Sequence, residues 1–298
     1  MQAFNDKIEN ICHKAVVHQQ MGKPLDAADI MIEAIKFRPE SILFRCKRAA
    51  YLREGGNIEL CKREMTELYE QIQEENQKLP VKIQMSQALA EEATIAMINQ
   101  LYPEAIELFS QSMQWEKNSP FIMMSRGDCR KAMKQYAVAM DDYVKALKMK
   151  PQDQSILYRM SSIHDFFAQQ LVEVGRYEDA LVECNLAVES SPQICEFRMR
   201  RADIYLILGK TKEAYDDVQA AHTIDPDSAN ISQRLLEFIP GAQLRPLNLP
   251  YSSIPPKFNS TVLQPLPVHI KISSDTLPGV KGALGSNAAL EIAEKAAG

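Results

Sequence analysis

Small, aromatic and proline positions recur along this chain with a period of 34 residues, the length of a helix–turn–helix repeat. The frame falls at 8–41, 42–75, 86–119, 120–153, 161–194 and 195–228. Its eighth position is small in every copy: Ala15, Ala49, Ala93, Gly127, Ala168 and Ala202. Its twentieth reads Ala27, Cys61, Ala105, Ala139, Ala180 and Ala214, and its twenty-seventh Ala34, Leu68, Ser112, Ala146, Ala187 and Ala221. Small side chains at the eighth and twentieth positions let two antiparallel helices approach closely. Larger ones at the twenty-fourth (Met31, Met65, Phe109, Tyr143, Val218) fill the next layer. The fifteenth position is Gly22, Gly56, Gly175 and Gly209 in four copies, which suits a left-handed turn after the first helix. The thirty-second is Pro39, Pro151, Pro192 and Pro226, where proline stops the second helix.

Two interruptions refine the expected elements. Residues 76–85 break the period; the second helix before them is expected to run on to about 78, with Pro80 opening the next element. Seven residues, 154–160, precede the fifth copy. Seven residues are nearly two helical turns, so one long helix is expected over about 154–173. Residues 228–238 read as a final capping helix.

With these positions the chain resembles the tetratricopeptide repeat family. The resemblance implies an all-α fold: a right-handed superhelix, or α-solenoid, of about six helix pairs with a concave inner surface, spanning 1–239. Composition changes at Pro240, since eight of the sixteen prolines fall in 240–298. That density excludes helix over most of the segment. An extended arm is expected there, with a short helix at 287–296. A disordered tail and a docking arm both fit. Apolar residues including Leu247 and Leu249 favour docking, with Tyr251, Ile254 and Phe258 as candidate anchors.

A narrower resemblance covers residues from about 82 to 241. It rests on Ser125-Arg126-Gly127-Asp128-Cys129, on Lys150-Pro151-Gln152-Asp153, on the lengthened helix before Gly175, and on Phe238-Ile239-Pro240-Gly241. These resemble the C-terminal part of one group of tetratricopeptide-repeat proteins that carry additional N-terminal repeats. That resemblance implies a protein of ciliated or flagellated cells and a place in the axoneme.

Charge and composition narrow the functional classes. The 298 residues carry 34 Lys+Arg against 39 Asp+Glu, a formal charge of -5, which argues against nonspecific nucleic-acid binding. No apolar run approaches the length of a membrane span, and the first residues lack the pattern of a secretory signal. The six cysteines form no C-x-x-C pair and none pairs with a His at zinc-ligand spacing, so free thiols in a reducing cytoplasm are expected, with no metal and no cofactor. Gly209-Lys210-Thr211 mimics the end of a phosphate-binding loop, but Ile204 stands where that loop needs its first Gly. The acidic pairs Asp141-Asp142 and Asp216-Asp217 are expected on solvated outer faces of second helices.

What remains is a binding surface. The family resemblance implies that first helices line the groove, and here this gives Phe121, Met124, Tyr158, Phe166, Met199 and Leu206 as candidate partner-binding residues. Such an apolar, Met-rich floor suits an extended or helical segment of another protein. The Lys and Asn of the clamp that binds chaperone C-termini in part of the family are absent. The fifth positions are Cys12, Cys46, Ala90, Met124, Asp165 and Met199. Arg198, Arg200 and Arg201 are the candidate basic contact, placed to meet acidic tubulin tails. The expected function is a non-enzymatic scaffold in a large cytoskeletal assembly, with axonemal proteins or tubulin as implied partners. Nucleic acid, membrane and small-molecule substrate are excluded as partners. The other reading is a soluble cytoplasmic adaptor that captures a short peptide of a client.

Overall fold

The computed structural model describes residues 2–239. The Pro-rich arm, its anchors Tyr251, Ile254 and Phe258, and the helix expected at 287–296 lie outside the described residues. Among the described residues there are thirteen α-helices and no strand. They pair as the 34-residue frame requires: α1 (Gln2–Gln20) with α2 (Pro24–Phe37), α3 (Ile42–Glu54) with α4 (Ile58–Gln71), α5 (Leu79–Ile98) with α6 (Tyr102–Trp115), and α7 (Pro120–Ala132) with α8 (Tyr136–Met149). Then come α9 (Gln154–Glu173) with α10 (Tyr177–Ser190), α11 (Cys195–Ile207) with α12 (Thr211–Ile224), and a closing α13 (Ala229–Leu236). Two compact units divide the chain inside α7, one ending at Arg126 and the other beginning at Gly127.

Every pair turns in the same way. The fifteenth position has positive φ in all six copies: Gly22, Gly56, Gly175 and Gly209, and also Gln100 and Lys134, each at 62°. Around each of them, two backbone bonds close the end of the first helix. Gly22 N donates to Gln19 O at 2.9 Å and Lys23 N to His18 O at 2.9 Å, and the other five turns repeat this pattern. This is a Schellman ending, which satisfies carbonyls that the helix end would leave unpaired.

The small positions do what their size allows. The eighth-position alanines are fully buried, as are all six residues at the twentieth. Met31, Met65, Phe109, Tyr143 and Val218 sit at zero exposure between them. Each such side chain contributes about 1.5–3 kcal/mol of burial, so the layer is a main source of stability. Gly127 takes this to the limit of size at the eighth position. A Cβ placed there would lie 2.6 Å from Cε1 of Tyr143, so only glycine admits this ring.

The long helix expected over 154–173 is α9. Asp153 caps it, accepting from Ser155 N at 3.0 Å. The expectation that α4 runs to about 78 is corrected: α4 ends at Gln71. Ile72 takes up extended backbone and buries its side chain in the core of the first unit. A short 3₁₀ turn, Glu75–Gln77, follows, and Pro80 stands in the first turn of α5 as expected. Trp115 packs edge-on against Tyr69 at 5.1 Å, tying the end of α6 to α4.

Candidate functional site

The candidate groove residues fall into two groups. Phe121, at the start of α7, is 56% exposed. Tyr158 and Phe166 on α9 and Leu206 on α11 are half-buried. Phe166 stacks on Tyr136 with ring centroids 4.6 Å apart, and Tyr158 stacks on Phe197 at 6.2 Å. Met124 and Met199 are different, at 9% and 8% exposure, and Met199 belongs to the core of the second unit. They fill space between helices. A charged substitution at either would strike the fold before it touched a partner.

The three arginines read as a basic contact are drawn into internal ion pairs. Arg201 binds both carboxylate oxygens of Asp217 at 2.7 Å and also reaches Asn185. Burial works against its charge, but the hydrogen bonds to Asp217 hold its pKa above the ordinary arginine value. Arg198 donates to Pro192 O at 3.0 Å and approaches Asp217 at 3.6 Å. Arg200 on α11 binds Asp165 on α9, with Nη2 to Oδ2 at 3.0 Å. Burial raises the Asp165 pKa from its usual value despite that partner. Two carboxylates, Asp165 and Asp217, thus engage three guanidiniums, so most of the cluster's charge is already spent inside the fold.

These pairs belong to two series that run through the repeats. One joins successive first helices. Arg53 on α3 meets Glu91 on α5. Arg159 on α9 binds both oxygens of Asp128 on α7 at 2.9 Å, and Tyr143 Oη donates to the same carboxylate at 2.7 Å. Arg200 and Asp165 continue the series, and Arg234 on α13 reaches Asp203 on α11 at 2.6 Å. Next to Asp128, burial lowers the Lys131 pKa, and its amine donates to Ser162 Oγ at 2.9 Å.

The other series joins the two helices of one repeat through the twenty-third position. Glu64 meets Arg48, Asp142 meets Arg130 at 2.6 Å, Glu183 meets His164 at 2.8 Å, and Asp217 meets Arg201. Asp142, Glu183 and Asp217 are buried. The expectation that Asp142 and Asp217 sit on solvated outer faces is therefore corrected; only their neighbours Asp141 and Asp216 are exposed. A buried carboxylate is retained where a guanidinium or imidazole meets it. The missed signal was an Arg at the seventh position, sixteen residues before the acid, as in Arg48/Glu64 and Arg201/Asp217.

The chemistry on offer is recognition. His164 and Glu183 form a base-like pair, but they are closed off at 1% and 0% side-chain exposure. Among the described residues no group of three or more His, Cys, Asp or Glu could hold a metal ion, and no helix is long and apolar enough to cross a membrane. Burial pushes the Cys46 and Cys61 thiols up to about 11 and Cys129 to about 12, so they are poor nucleophiles.

Residues 122–153, which cover most of α7 and all of α8, match the family model described as tetratricopeptide repeat. Protein PHOX1 of Arabidopsis thaliana is 28% identical over 130 residues, which is 43% of this chain and 17% of PHOX1. Human tetratricopeptide repeat protein 16 is 24% identical over 140 residues, 47% of this chain and 16% of that protein. The matched part thus spans 16–17% of the length of these curated relatives. The crystal structure of YrrB, a TPR protein with an unusual peptide-binding site, superimposes with a TM-score of 0.42 at 15% identity, over 69% of this chain and 97% of YrrB.

Proposed function

We propose that this chain, built on the tetratricopeptide repeat, is a non-enzymatic scaffold whose task is to hold other proteins in a large assembly. The observation that carries this reading is the repeat itself. Six copies of one helix pair, including the matched 122–153, spend their small residues on stacking, and a set of buried charged groups is paired between the helices. Apolar side chains such as Phe121, Tyr158, Phe166 and Leu206 stay exposed or half-buried on first helices. They suit contact with a protein surface.

The ciliary or flagellar axoneme is the favoured assembly. Its support is the resemblance over about half of the chain to tetratricopeptide repeat protein 16, together with the motifs at 125–129, 150–153 and 238–241. Contact with tubulin would then run mainly through apolar side chains, because Arg200 and Arg201 are paired with Asp165 and Asp217 and Arg198 is tied to Pro192 O. The second reading is an adaptor that captures a short peptide. It is favoured by the half-buried Tyr158, Phe166 and Leu206, which leave an apolar strip on two first helices of the second unit.

Fractionation separates the two. Flagella carrying the tagged full chain are extracted with detergent and then with high salt. Retention with the microtubules supports the axonemal scaffold. Release into the detergent-soluble fraction contradicts it and leaves the adaptor.

A further inference from the structure

Three strongly exposed apolar side chains lie within residues 95–101 of the first unit. Ile95 and Ile98, near the end of α5, are 52% and 59% exposed, and Leu101, just past the turn, is 50% exposed. Leu101 is folded back over the helix end, its N donating to Ala96 O at 2.9 Å. This exposure departs from the frame. Ile95 holds the tenth position, which is buried at Tyr51, Cys129 and Ile204. The preceding repeat differs as well. In the first repeat, Leu25 at the eighteenth position lies over the next turn, so closely that a Cβ at Gly55 would meet its side chain. In the second repeat that position is Glu59, which turns to Lys62 at 2.7 Å. The repeat before α5 thus presents a glutamate where the repeat before α3 presents a leucine.

Negative charge predominates around the patch. Glu54 ends α3, Glu59 opens α4, Glu91 and Glu92 stand one turn before Ile95, and Glu104 lies in the first turn of α6. Two cations are drawn in among these five carboxylates. Arg53 meets Glu91, and Lys62 meets Glu59 at 2.7 Å and Glu92 at 2.8 Å. Burial raises the Glu91 pKa, and Glu54 adds to the rise against the pull of Arg53. The rim therefore has a surplus of carboxylate that further positive charge would offset.

We propose that the end of α5 is a docking surface for a helical segment of a partner protein whose apolar stripe is flanked by Lys or Arg. Glu91, Ile95 and Ile98 follow the i, i+4, i+7 stripe of one helix face, the spacing along which a second helix lays its own side chains. Apolar side chains clustered within an acidic rim mark a contact surface better than single exposed leucines do. The apolar centre supplies the burial, and the rim selects the sign of the partner's charge. A second copy of the chain placed symmetrically here would set one acidic rim against another, which disfavours that occupant. The surface belongs to the first unit, whereas Tyr158, Phe166 and Leu206 belong to the second. It rests on the reading of the chain as a protein-binding scaffold and not on which assembly the scaffold serves.

The test titrates the full chain into a fluorescein-labelled peptide and reads anisotropy. The peptide is about 15 residues long, enough for an isolated helix to begin to form, with leucines at i, i+3, i+4 and i+7, lysines on both flanks and alanine elsewhere. A matched peptide carries glutamate in place of every lysine. The lysine peptide should bind at least about tenfold more tightly than the glutamate one. Combining Ile95→Ser, Ile98→Ser and Leu101→Ser should weaken its binding about tenfold, with helical content by circular dichroism unchanged. Ile98→Lys alone, which sets a like charge against the peptide, should also weaken it. Leu79→Ser, at the exposed other end of α5, should leave it unaltered. Failure of the lysine peptide to bind, or equal binding of the two peptides, overturns the proposal. So does binding that survives the triple substitution, or that falls equally with Leu79→Ser, since either places the contact elsewhere. Self-association of the chain alone that the triple substitution abolishes also overturns it, in favour of a second copy. None of these results bears on retention with microtubules, so the scaffold reading fails or stands separately.

Discussion

The two units share a repeat frame but stabilise it differently. At the twenty-third position the first unit has Ile30, Glu64 and Leu108, two apolar residues and one carboxylate at 27% side-chain exposure. The second unit has Asp142, Glu183 and Asp217, all buried and all paired with a base on the first helix of the same repeat. The contact is thus apolar in two repeats of the first unit and a buried polar pair in every repeat of the second. A buried ion pair adds little net stability over apolar residues of the same shape, but breaking it is costly because one charge is left behind. The same frame is therefore expected to tolerate substitution differently in its two halves.

The largest contrast is expected at arginines. Arg234 is 2% exposed and holds Asp203 and Glu237 together. Arg234→Ala should cost about 3–5 kcal/mol, read as a fall in the urea midpoint of the second unit. Arg38 in the first unit donates to Asn5 on the surface, and Arg38→Ala should cost less than about 0.5 kcal/mol. Equal losses would remove the contrast.

The turns should show no contrast between the units, because their effect is local. Gln100 and Lys134 hold the left-handed conformation that glycine holds in the other four turns. Gln100→Gly and Lys134→Gly should each stabilise by about 0.5–1 kcal/mol, seen as a rise in Tm. A gain in one unit only would mean that the turns, and not the buried charges, distinguish the halves.

The sequence made much of this fold legible, because its main determinant is size at fixed intervals. Alanine at positions eight and twenty, glycine at fifteen and proline at thirty-two each act through local geometry, and a one-dimensional period captures that. The same holds for α9, since an insertion of two turns keeps its face. Partnership across helices was less legible. Asp142 and Asp217 look like solvent-facing acids until Arg130 and Arg201 are brought beside them. The end of α4 depended on where Ile72 found a core, and nothing in 72–78 itself announces that. For the candidate site, spacing placed Phe121, Tyr158, Phe166 and Leu206 on first helices where they stay reachable. It placed Met124 and Met199 there too, although both are packed inside. A helix face that meets two neighbours divides its apolar residues between core and surface, and periodicity alone does not make that division.

The most direct test of the difference between the units is a pair of double-mutant cycles measured by chemical denaturation. One removes Arg201 and Asp217 singly and together, and the other removes Arg48 and Glu64. Arg201 grips both oxygens of a buried carboxylate, so a coupling of about 2–3 kcal/mol is expected there. Glu64 is partly exposed, and about 1 kcal/mol or less is expected for its pair. Equal couplings, or a larger one between Arg48 and Glu64, would contradict the claim that the pair at the twenty-third position is a buried, strongly coupled one in the second unit and a weaker, partly exposed one in the first.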